Sequence, residues 1–427
     1  MRSNRKYPLE NTFNKKTDKA FNLFWAGIII NTICYSLMIS GAVPPKITYL
    51  QLIGIALFVF AATRLIRFKI ENAYLKNIYI VYCCWLLYTV SRGFQFSSKY
   101  LFDTLVDDTF GVFVYLVPLI LLFPKDLIYL KKLIKVIVIL SVFQVLFDMF
   151  FIKALLDPDS ENGHSILENF ARNLGIPCGF ILFTMTYHID KKKNRALMGR
   201  VWFLFVIILT FLLAVIRARR GLMFMTVNIL VFTYIIYNYA NKRNLFFKFF
   251  PIIIIFFLYV YASNKFNEKR PGALSALTEH FTEDTRSGVV DYFYRDMDKK
   301  DWVAGRGIDG QYYCPSGATE DGFRGVIESD YLQIILKGGM ISLGLLLLIT
   351  IPAIFKGFFN SKNILSKAAA SWILLWLVAL FPATVTTFSL NYMMVWISIG
   401  ICYSKKIRNM DEDSVKEHFH YTLFKRK

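Results

Sequence analysis

Three arginines, Arg217, Arg219 and Arg220, occupy three of four consecutive positions near the middle of the chain, directly before Gly221. A guanidinium group presents a rigid fork of donors that fits a phosphate group, so the spacing indicates recognition of phosphate or pyrophosphate. Arg220 also stands where an apolar helix is predicted to begin, and a helix N-terminus adds free N–H groups and partial positive charge. The alternative is that these arginines only extend towards lipid headgroups.

A second segment, residues 324–332, contains two carboxylates, Glu328 and Asp330. A carboxyl group beside an apolar surface can have a raised pKa and can act as the general base for a sugar hydroxyl, and Glu328 is the candidate. If the segment is helical, Arg324 and Glu328 are four residues apart and can pair. The alternative is that Glu328 or Asp330 only caps a helix that begins near Tyr331.

Other arginines are predicted on the same side of the molecule. Arg92 follows one apolar stretch and Arg172 opens another; each alone is more often a boundary residue, but together they could line one positively charged cavity. Arg306 lies in a Gly-x-Gly-x-x-Gly sequence, residues 305–310, which predicts a tight turn because no strand–helix unit surrounds it. The histidines and cysteines show no metal-ligand spacing, and no metal or cofactor is expected.

The composition indicates what must position these side chains. Of 427 residues, 56% are hydrophobic and 19% are charged, yet the net charge is +20. Long apolar blocks with basic loops between them are typical of a membrane protein that crosses the bilayer many times. This excludes a disordered chain, a disulfide-rich secreted domain and an ordinary soluble enzyme, and the basic excess needs no nucleic-acid partner. A channel, a transporter and a membrane-embedded transferase remain.

The hydropathy pattern predicts an all-α fold with twelve candidate spans. They are centred at residues 21–41, 48–64, 76–91, 108–123, 133–152, 174–189, 201–216, 220–239, 246–262, 338–355, 366–383 and 387–403. Lys and Arg concentrate in the two tails and in every second loop, so both tails, 1–20 and 404–427, are predicted to be cytoplasmic.

The spans divide the chain into further parts. Spans one to nine occupy residues 21–262, a large outer loop with short helices occupies 263–337, and spans ten to twelve occupy 338–403. A loop of this length is usually functional or disordered. Its aromatic residues predict an ordered, packed loop; they are Tyr292, Phe293, Tyr294, Trp302, Tyr312 and Tyr313.

At the two candidate sites the chain resembles the bacterial O-antigen polymerase and O-antigen ligase superfamily of membrane glycosyltransferases. Residues 219–222 are similar to a Ser-Arg-Gly-like segment of that superfamily, with Arg220 in the arginine position. Residues 328–332 and then 339–343 resemble its His-Asn-x-Tyr-Leu and Gly-x-x-Gly-Leu segments, with Ser342 at the second glycine. Ligases carry histidine where this chain has Glu328, so the resemblance favours a polymerase.

The resemblance implies a GT-C-type fold with about twelve spans in the bacterial inner membrane and one large periplasmic loop. It implies metal-independent, inverting transfer of a growing glycan from undecaprenyl pyrophosphate to a lipid-linked repeat unit, with no cofactor. Glu328 and Arg220 would be catalytic. The residues expected to bind pyrophosphate or glycan are Arg92, Arg172, Arg217, Arg219, Arg324, Asp330 and Tyr331.

The partners to expect are the undecaprenyl-pyrophosphate-linked oligosaccharide, membrane lipids and a chain-length regulator. Two alternatives stay open. One is ligase-type transfer to lipid A core or to another acceptor. The other is a flippase for lipid-linked oligosaccharides, to which several prolines in the apolar stretches would be suited because transporters often contain broken helices.

Overall fold

The computed structural model describes residues 15–41, 43–44, 46–109, 111–157, 160–188, 195–241, 287–315, 322–327, 329–381 and 387–423. Three predicted features fall outside this part of the chain: the ninth span (246–262), the first part of the outer loop (263–286) and Glu328.

The described chain is mostly helical, with almost no strand. Its α-helices are α1 (Lys15–Ile39), α2 (Ile47–Leu65), α3 (Ala73–Ser91), α4 (Ser98–Val106), α5 (Phe113–Leu116), α6 (Leu127–Phe150), α7 (Ile152–Leu156), α8 (Glu161–Phe170), α9 (Cys178–Phe183), α10 (Arg195–Ile216), α11 (Arg220–Ala240), α12 (Ser287–Asp296), α13 (Lys299–Ala304), α14 (Asp330–Phe359), α15 (Ile364–Ala379), α16 (Leu390–Tyr403), α17 (Lys405–Arg408) and α18 (Glu412–Leu423).

Several of these helices have the dimensions of membrane spans. Five are long and apolar enough to cross a bilayer: α1, α2, residues Tyr129–Phe150 of α6, α11 and α14. Shorter apolar helices accompany them at Phe113–Leu122, Val201–Ile216, α15 and α16. The described chain is therefore mostly helical, with several helices that could cross a membrane, and the count of twelve crossings stays a prediction.

The bundle has two ends, named here by the predicted orientation. The outer end carries the last turn of α3 and the first turns of α11 and α14. The inner end carries the last turns of α2 and α16 and the first turns of α3 and α6. The predicted site residues that the structure describes belong to the outer end.

The first two helices are in backbone contact. A Cβ atom added at Gly27 would lie 2.6 Å from the Gly54 oxygen, and one at Gly54 would lie 2.9 Å from the Asn31 nitrogen. Small residues let helices approach this closely in a membrane. Next to the contact, Asn31 accepts a hydrogen bond from Gln51 at 3.2 Å and donates one to the buried Asp108 at 3.1 Å. This polar chain holds the α4–α5 connection against α1 and α2.

Two predicted spans are interrupted. The predicted span 108–123 is α5 continued by a 3₁₀ turn over Val117–Leu122, which contains Pro118. The predicted span 174–189 is a series of short pieces: a π-helical turn over Ala171–Gly175, then α9, then a 3₁₀ turn over Met185–His188. In the π turn the Ile176 N–H donates to the Ala171 oxygen at 2.8 Å. Pro177 follows and has no N–H to continue a regular ladder, which accounts for the break.

The described part of the outer loop is packed, as its aromatic residues predicted. Phe293 is fully buried and meets the Trp302 and Tyr312 rings at 5.7 and 5.5 Å between centroids. A two-residue ladder pairs Tyr312–Tyr313 (β1) with Phe323–Arg324 (β2). The same small core includes Leu336 from α14, so it fixes the loop to the outer end of that helix.

Helix α14 changes direction at Gly339, whose φ is 70°. A side chain at this position would overlap the carbonyl of Val303 at the end of α13. The kink therefore separates an outer segment of α14, which packs on the loop, from the long apolar segment that follows.

Candidate functional site

The arginine segment forms a tight turn between α10 and α11. Ala218 has a φ of 51°, in the left-handed region that non-glycine residues rarely adopt. The Arg219 N–H donates to the Ala214 oxygen at 2.8 Å, which closes the end of α10. The turn makes Arg219 the N-cap residue of α11 and Arg220 its first residue, as predicted for the helix start. Arg220 is half-buried, at the point where the helix presents its free N–H groups.

Arg217 points into the protein instead of towards a surface. Its side chain is 2% exposed, and its two Nη groups donate to the backbone oxygens of Asp157 and Ser160. Gly163 lies directly against the guanidinium group, where a side chain would overlap it. Arg217 thus fastens the α7–α8 connection to the end of α10, and the donors named here are already engaged by the backbone.

Arg219 and Arg172 meet at one carboxylate, that of Glu168. The Arg219 Nη1 atom is 3.3 Å from Glu168 Oε1, and the Arg172 Nη2 atom is 3.8 Å from Glu168 Oε2. Arg172 lies in the π-helical turn that follows α8, four residues after Glu168, so helical spacing already brings the two side chains close together. All three side chains are partly exposed, with two cations against one anion. We call Arg172, Arg219, Arg220 and Glu168 the arginine cluster.

Glu168 was missed by the sequence analysis. Its spacing of four residues from Arg172 is the signal that could have found it, since residues four apart share one helix face. The carboxylate fixes two guanidinium groups that would otherwise repel each other, and it leaves the cluster with a net positive charge.

The second candidate segment lies at the start of α14, which begins at Asp330, close to the position predicted. Asp330 is 4% exposed, and its N–H donates to the Leu380 oxygen at 3.0 Å. The Tyr331 hydroxyl donates to the Leu377 oxygen at 2.7 Å. Both bonds hold the first turn of α14 against the outer end of α15. Glu328 itself lies outside the described residues.

The helical pairing of Arg324 with Glu328 was based on a helix that does not form. Arg324 belongs to β2, opposite Tyr312, and residues 325–327 are not helical. The Ile327 N–H donates to the Gln333 side chain at 2.9 Å, so a non-helical segment is bonded back onto the first turn of α14. The small loop core requires this, because Ile327 is fully buried in it.

Arg92 holds the Gly-x-Gly-x-x-Gly turn. Its Nη1 donates to the Gly305 oxygen at 2.8 Å and its Nη2 to the Ala304 oxygen, while the Ile308 N–H donates to the Arg92 oxygen at 3.1 Å. Gly305 and Gly307 both have positive φ, which confirms the predicted tight turn. Arg92 therefore joins the end of α3 to the loop.

Arg306 is likewise engaged within the loop. Its guanidinium group pairs with Asp301 at 2.7 Å and also with the Asp296 carboxylate. These carboxylates raise the pKa of Arg306, against the opposing effect of burial. Both arginines therefore organise the loop that covers the outer end.

A cavity of about 90 Å³ lies beneath Asp330, between α3, α5, α14, α15 and α16. Its lining includes Tyr115, Asp330, Gln333, Lys337, Trp376 and Tyr392. Lys337 donates to the Gly310 oxygen at 2.9 Å, which links the cavity to the Gly-x-Gly-x-x-Gly turn. Of these residues only Asp330 is predicted from the sequence, because the other side chains are far apart in the chain and share no spacing.

The structure therefore brings the predicted residues together in two sets. Arg172 and Arg219 meet at Glu168 beside Arg220, and Asp330 and Tyr331 lie at the cavity end of α14. Among the described residues, no group of three or more His, Cys, Asp or Glu side chains is placed to hold a metal ion.

These features describe a helical protein, with several helices that could cross a membrane and with an arginine cluster and a polar cavity at one end of its bundle. No protein-family model matches the chain, and neither a curated protein nor a solved structure matches it.

Proposed function

We propose that this protein is a polymerase of a bacterial surface polysaccharide, such as O-antigen. It would be a GT-C-type glycosyltransferase with about twelve spans in the inner membrane and its site on the periplasmic side. The observation that carries the proposal is the arginine cluster at the start of α11, where Arg172 and Arg219 share Glu168 beside Arg220. Guanidinium groups at a helix N-terminus are suited to a pyrophosphate group held at the membrane surface.

In the proposed reaction, the donor is a growing glycan on undecaprenyl pyrophosphate and the acceptor is a lipid-linked repeat unit. Glu328 takes the proton of the acceptor hydroxyl, and the oxygen attacks the anomeric carbon from the face opposite the pyrophosphate. The bond from that carbon to the pyrophosphate oxygen breaks, its electron pair leaves with the oxygen, and the configuration inverts.

The arginines would stabilise the leaving group. Arg220 contacts the pyrophosphate, and Arg172 and Arg219 add positive charge beside it. Removal of one such donor from an active site typically costs about 3–4 kcal/mol of transition-state stabilisation. Arg217 contributes by fixing the turn, because its guanidinium group is bonded to the α7–α8 backbone.

The cavity beneath Asp330 supports the acceptor side of the proposal. It combines aromatic faces with polar side chains, the mixture that sugar rings require, and it opens next to the segment that contains Glu328. The packed outer loop lies over the same end of the bundle, where it would cover the sugars.

A flippase is the second candidate, and the interrupted helices favour it. The π turn and the short helix α9 are of the kind that transporters place around a substrate. Asp148 is 1% exposed in α6 and accepts a hydrogen bond from Gln144 at 2.7 Å, so a buried acid lies within the apolar region. Such groups often mark transport pathways.

The experiment uses the purified protein, a lipid-linked repeat unit alone, and analysis of the products by gel and mass spectrometry. A ladder of lipid-linked products supports the polymerase. Transfer that occurs only after lipid A core is added means a ligase, and no covalent change means a flippase. Arg220→Ala should abolish the ladder, whereas Arg295→Ala, an exposed arginine on α12, should leave it unchanged. The ladder should also survive exhaustive chelation.

A further inference from the structure

A second pocket opens at the inner end of the bundle, opposite the arginine cluster. It has a volume of about 170 Å³ and lies where α2 and α16 end and α3 and α6 begin. Its charged lining residues are Arg67, Lys69, Lys125 and Lys406, with Glu71 as the only acid among the residues that line it. Four cations therefore face one anion around a single concave site.

None of the four cations forms an ion pair with a residue that the structure describes. The guanidinium group of Arg67 donates a hydrogen bond to the Thr17 hydroxyl at 3.3 Å. The positive charge of the pocket is thus uncompensated by described side chains, apart from the nearby Glu71. The bias of inner loops towards Lys and Arg explains the sign of this charge but not its convergence on one pocket.

Lys125 is the most buried of the four cations in the pocket. It is partly buried, and its methylene chain packs against α16, since a Cβ atom added at Gly400 would lie 3.2 Å from Lys125 Cε. Burial lowers the pKa of Lys125, and Glu71 only partly opposes this effect. A desolvated cation is costly unless an anion accompanies it.

The walls of the pocket add two further features. Asn72 caps α3 by accepting the Leu75 N–H at 2.9 Å, so the positive end of a 19-residue helix faces the pocket. Leu75, Leu122 and Phe123 form an apolar wall. Basic pockets between helices at the cytoplasmic surface are suited to phosphate-bearing headgroups.

We propose that this inner pocket binds a phosphate group, carried either by an anionic lipid headgroup or by free phosphate, with Lys125 and Lys406 as its principal ligands. The proposal is independent of the transferase function, because it concerns the opposite end of the bundle.

The test uses the purified full chain and two double variants that remove the same charge. Lys125→Gln/Lys406→Gln alters the pocket, whereas Lys76→Gln/Lys405→Gln removes two exposed lysines that do not line it. In one arm, native mass spectrometry measures the binding of phosphatidylglycerol to delipidated protein. In the other arm, thermal unfolding is measured against inorganic phosphate at constant ionic strength.

The pocket variant should bind phosphatidylglycerol about tenfold or more weakly than wild type, and the control should match wild type. If the pocket variant loses only phosphatidylglycerol binding, the ligand is a lipid headgroup. If it loses only the stabilisation by inorganic phosphate, the ligand is free phosphate. Equal behaviour of the two double variants in both arms would overturn the proposal. If the pocket variant does not fold, the single variant Lys406→Gln replaces it, and Lys405→Gln is its control, since both lysines are exposed.

Discussion

The guanidinium group of Arg92 donates a hydrogen bond to the Gly305 carbonyl oxygen across 2.8 Å, although the two residues are separated by 213 positions in the chain. The bond joins the end of α3 to the turn after α13, and the Tyr88 ring packs against the same guanidinium group at 4.5 Å. Arg92, which the sequence predicted at the end of a span, thus holds the outer loop against the end of α3.

Arg92→Ala should loosen this loop, because the Gly305 and Ala304 carbonyls lose a charged donor together. A hydrogen bond to a charged group contributes about 1.5–3 kcal/mol. We expect a lower midpoint of thermal unfolding and faster proteolysis within residues 287–315. Arg295→Ala, which removes an exposed charge from the same loop, is the control. Unchanged proteolysis of the Arg92 variant would contradict the assigned role.

Gly307→Ala should be more damaging than Gly41→Ala or Gly344→Ala. Gly307 has a φ of 88°, and a side chain there would overlap the Arg92 carbonyl. Gly41 has a φ of 67° but nothing within 4 Å, so Gly41→Ala measures backbone strain alone, about 1–2 kcal/mol. Gly344 has neither constraint. The expected order of destabilisation in detergent unfolding is Gly307→Ala, Gly41→Ala, Gly344→Ala, and equal values at positions 307 and 41 would count against the overlap.

Arg217 and Arg220 should respond differently to the same change. Arg217→Lys removes the fork that meets the Asp157 and Ser160 carbonyls, so the free energy of unfolding should fall by about 2–3 kcal/mol. Arg220→Lys keeps the charge at the helix start and should leave stability within about 0.5 kcal/mol of wild type while it lowers turnover. A stable Arg217→Lys protein would be inconsistent with the buried position of this side chain.

Glu168→Gln tests the charge balance of the arginine cluster. The substitution removes the anion that lies between Arg172 and Arg219 and keeps a side chain of the same shape. A unit charge about 6 Å from a bound anion in partly exposed surroundings changes its binding by about 1 kcal/mol, or roughly fivefold. We expect inorganic pyrophosphate to inhibit the variant more strongly than wild type at low salt. Glu161→Gln, at the other end of α8, should have no such effect.

Tyr100 provides a test by pH. Its hydroxyl donates to Asp309 at 2.9 Å, and burial, with a contribution from this hydrogen bond, raises the pKa of Tyr100 to about 12. A folded-state pKa above the ordinary value of about 10 means that the folded protein keeps the proton longer than the unfolded chain. The stability difference between wild type and Tyr100→Phe should therefore be constant below pH 10 and should fall between pH 10 and pH 12. A difference that does not change over this window would exclude the hydrogen bond.

Features that depend on neighbouring residues in the chain could be predicted from the sequence. The start of α11 at Arg220 follows from the Arg-Gly step before an apolar run, and the turn over 305–310 follows from glycines in a motif without a strand–helix setting. The order of the outer loop follows from aromatic residues that can bury themselves only by packing, as Phe293 does.

Features that depend on contacts between distant parts of the chain could not be predicted from the sequence. The inward direction of Arg217 is decided by carbonyl groups about sixty residues earlier, which no spacing records. Residues 325–327 are not helical because Ile327 is buried in the loop core, and this burial overrides the helical spacing of Arg324 and Glu328. The break before Pro177 was visible as a proline, but the contact of Arg219 with Glu168 joins distant parts of the chain and depends on the fold.

The contact of Gly27 with Gly54 bears on how the molecule is made. Both residues belong to the two helices that precede all others in the described chain, and a short connection separates them. A pair of helices that fit by backbone contact, with Asn31 and Gln51 already bonded to each other, can close as a hairpin during synthesis. The later helices would then pack against an α1–α2 hairpin that has already formed. A bulky residue at either glycine would delay insertion of the whole chain into the membrane.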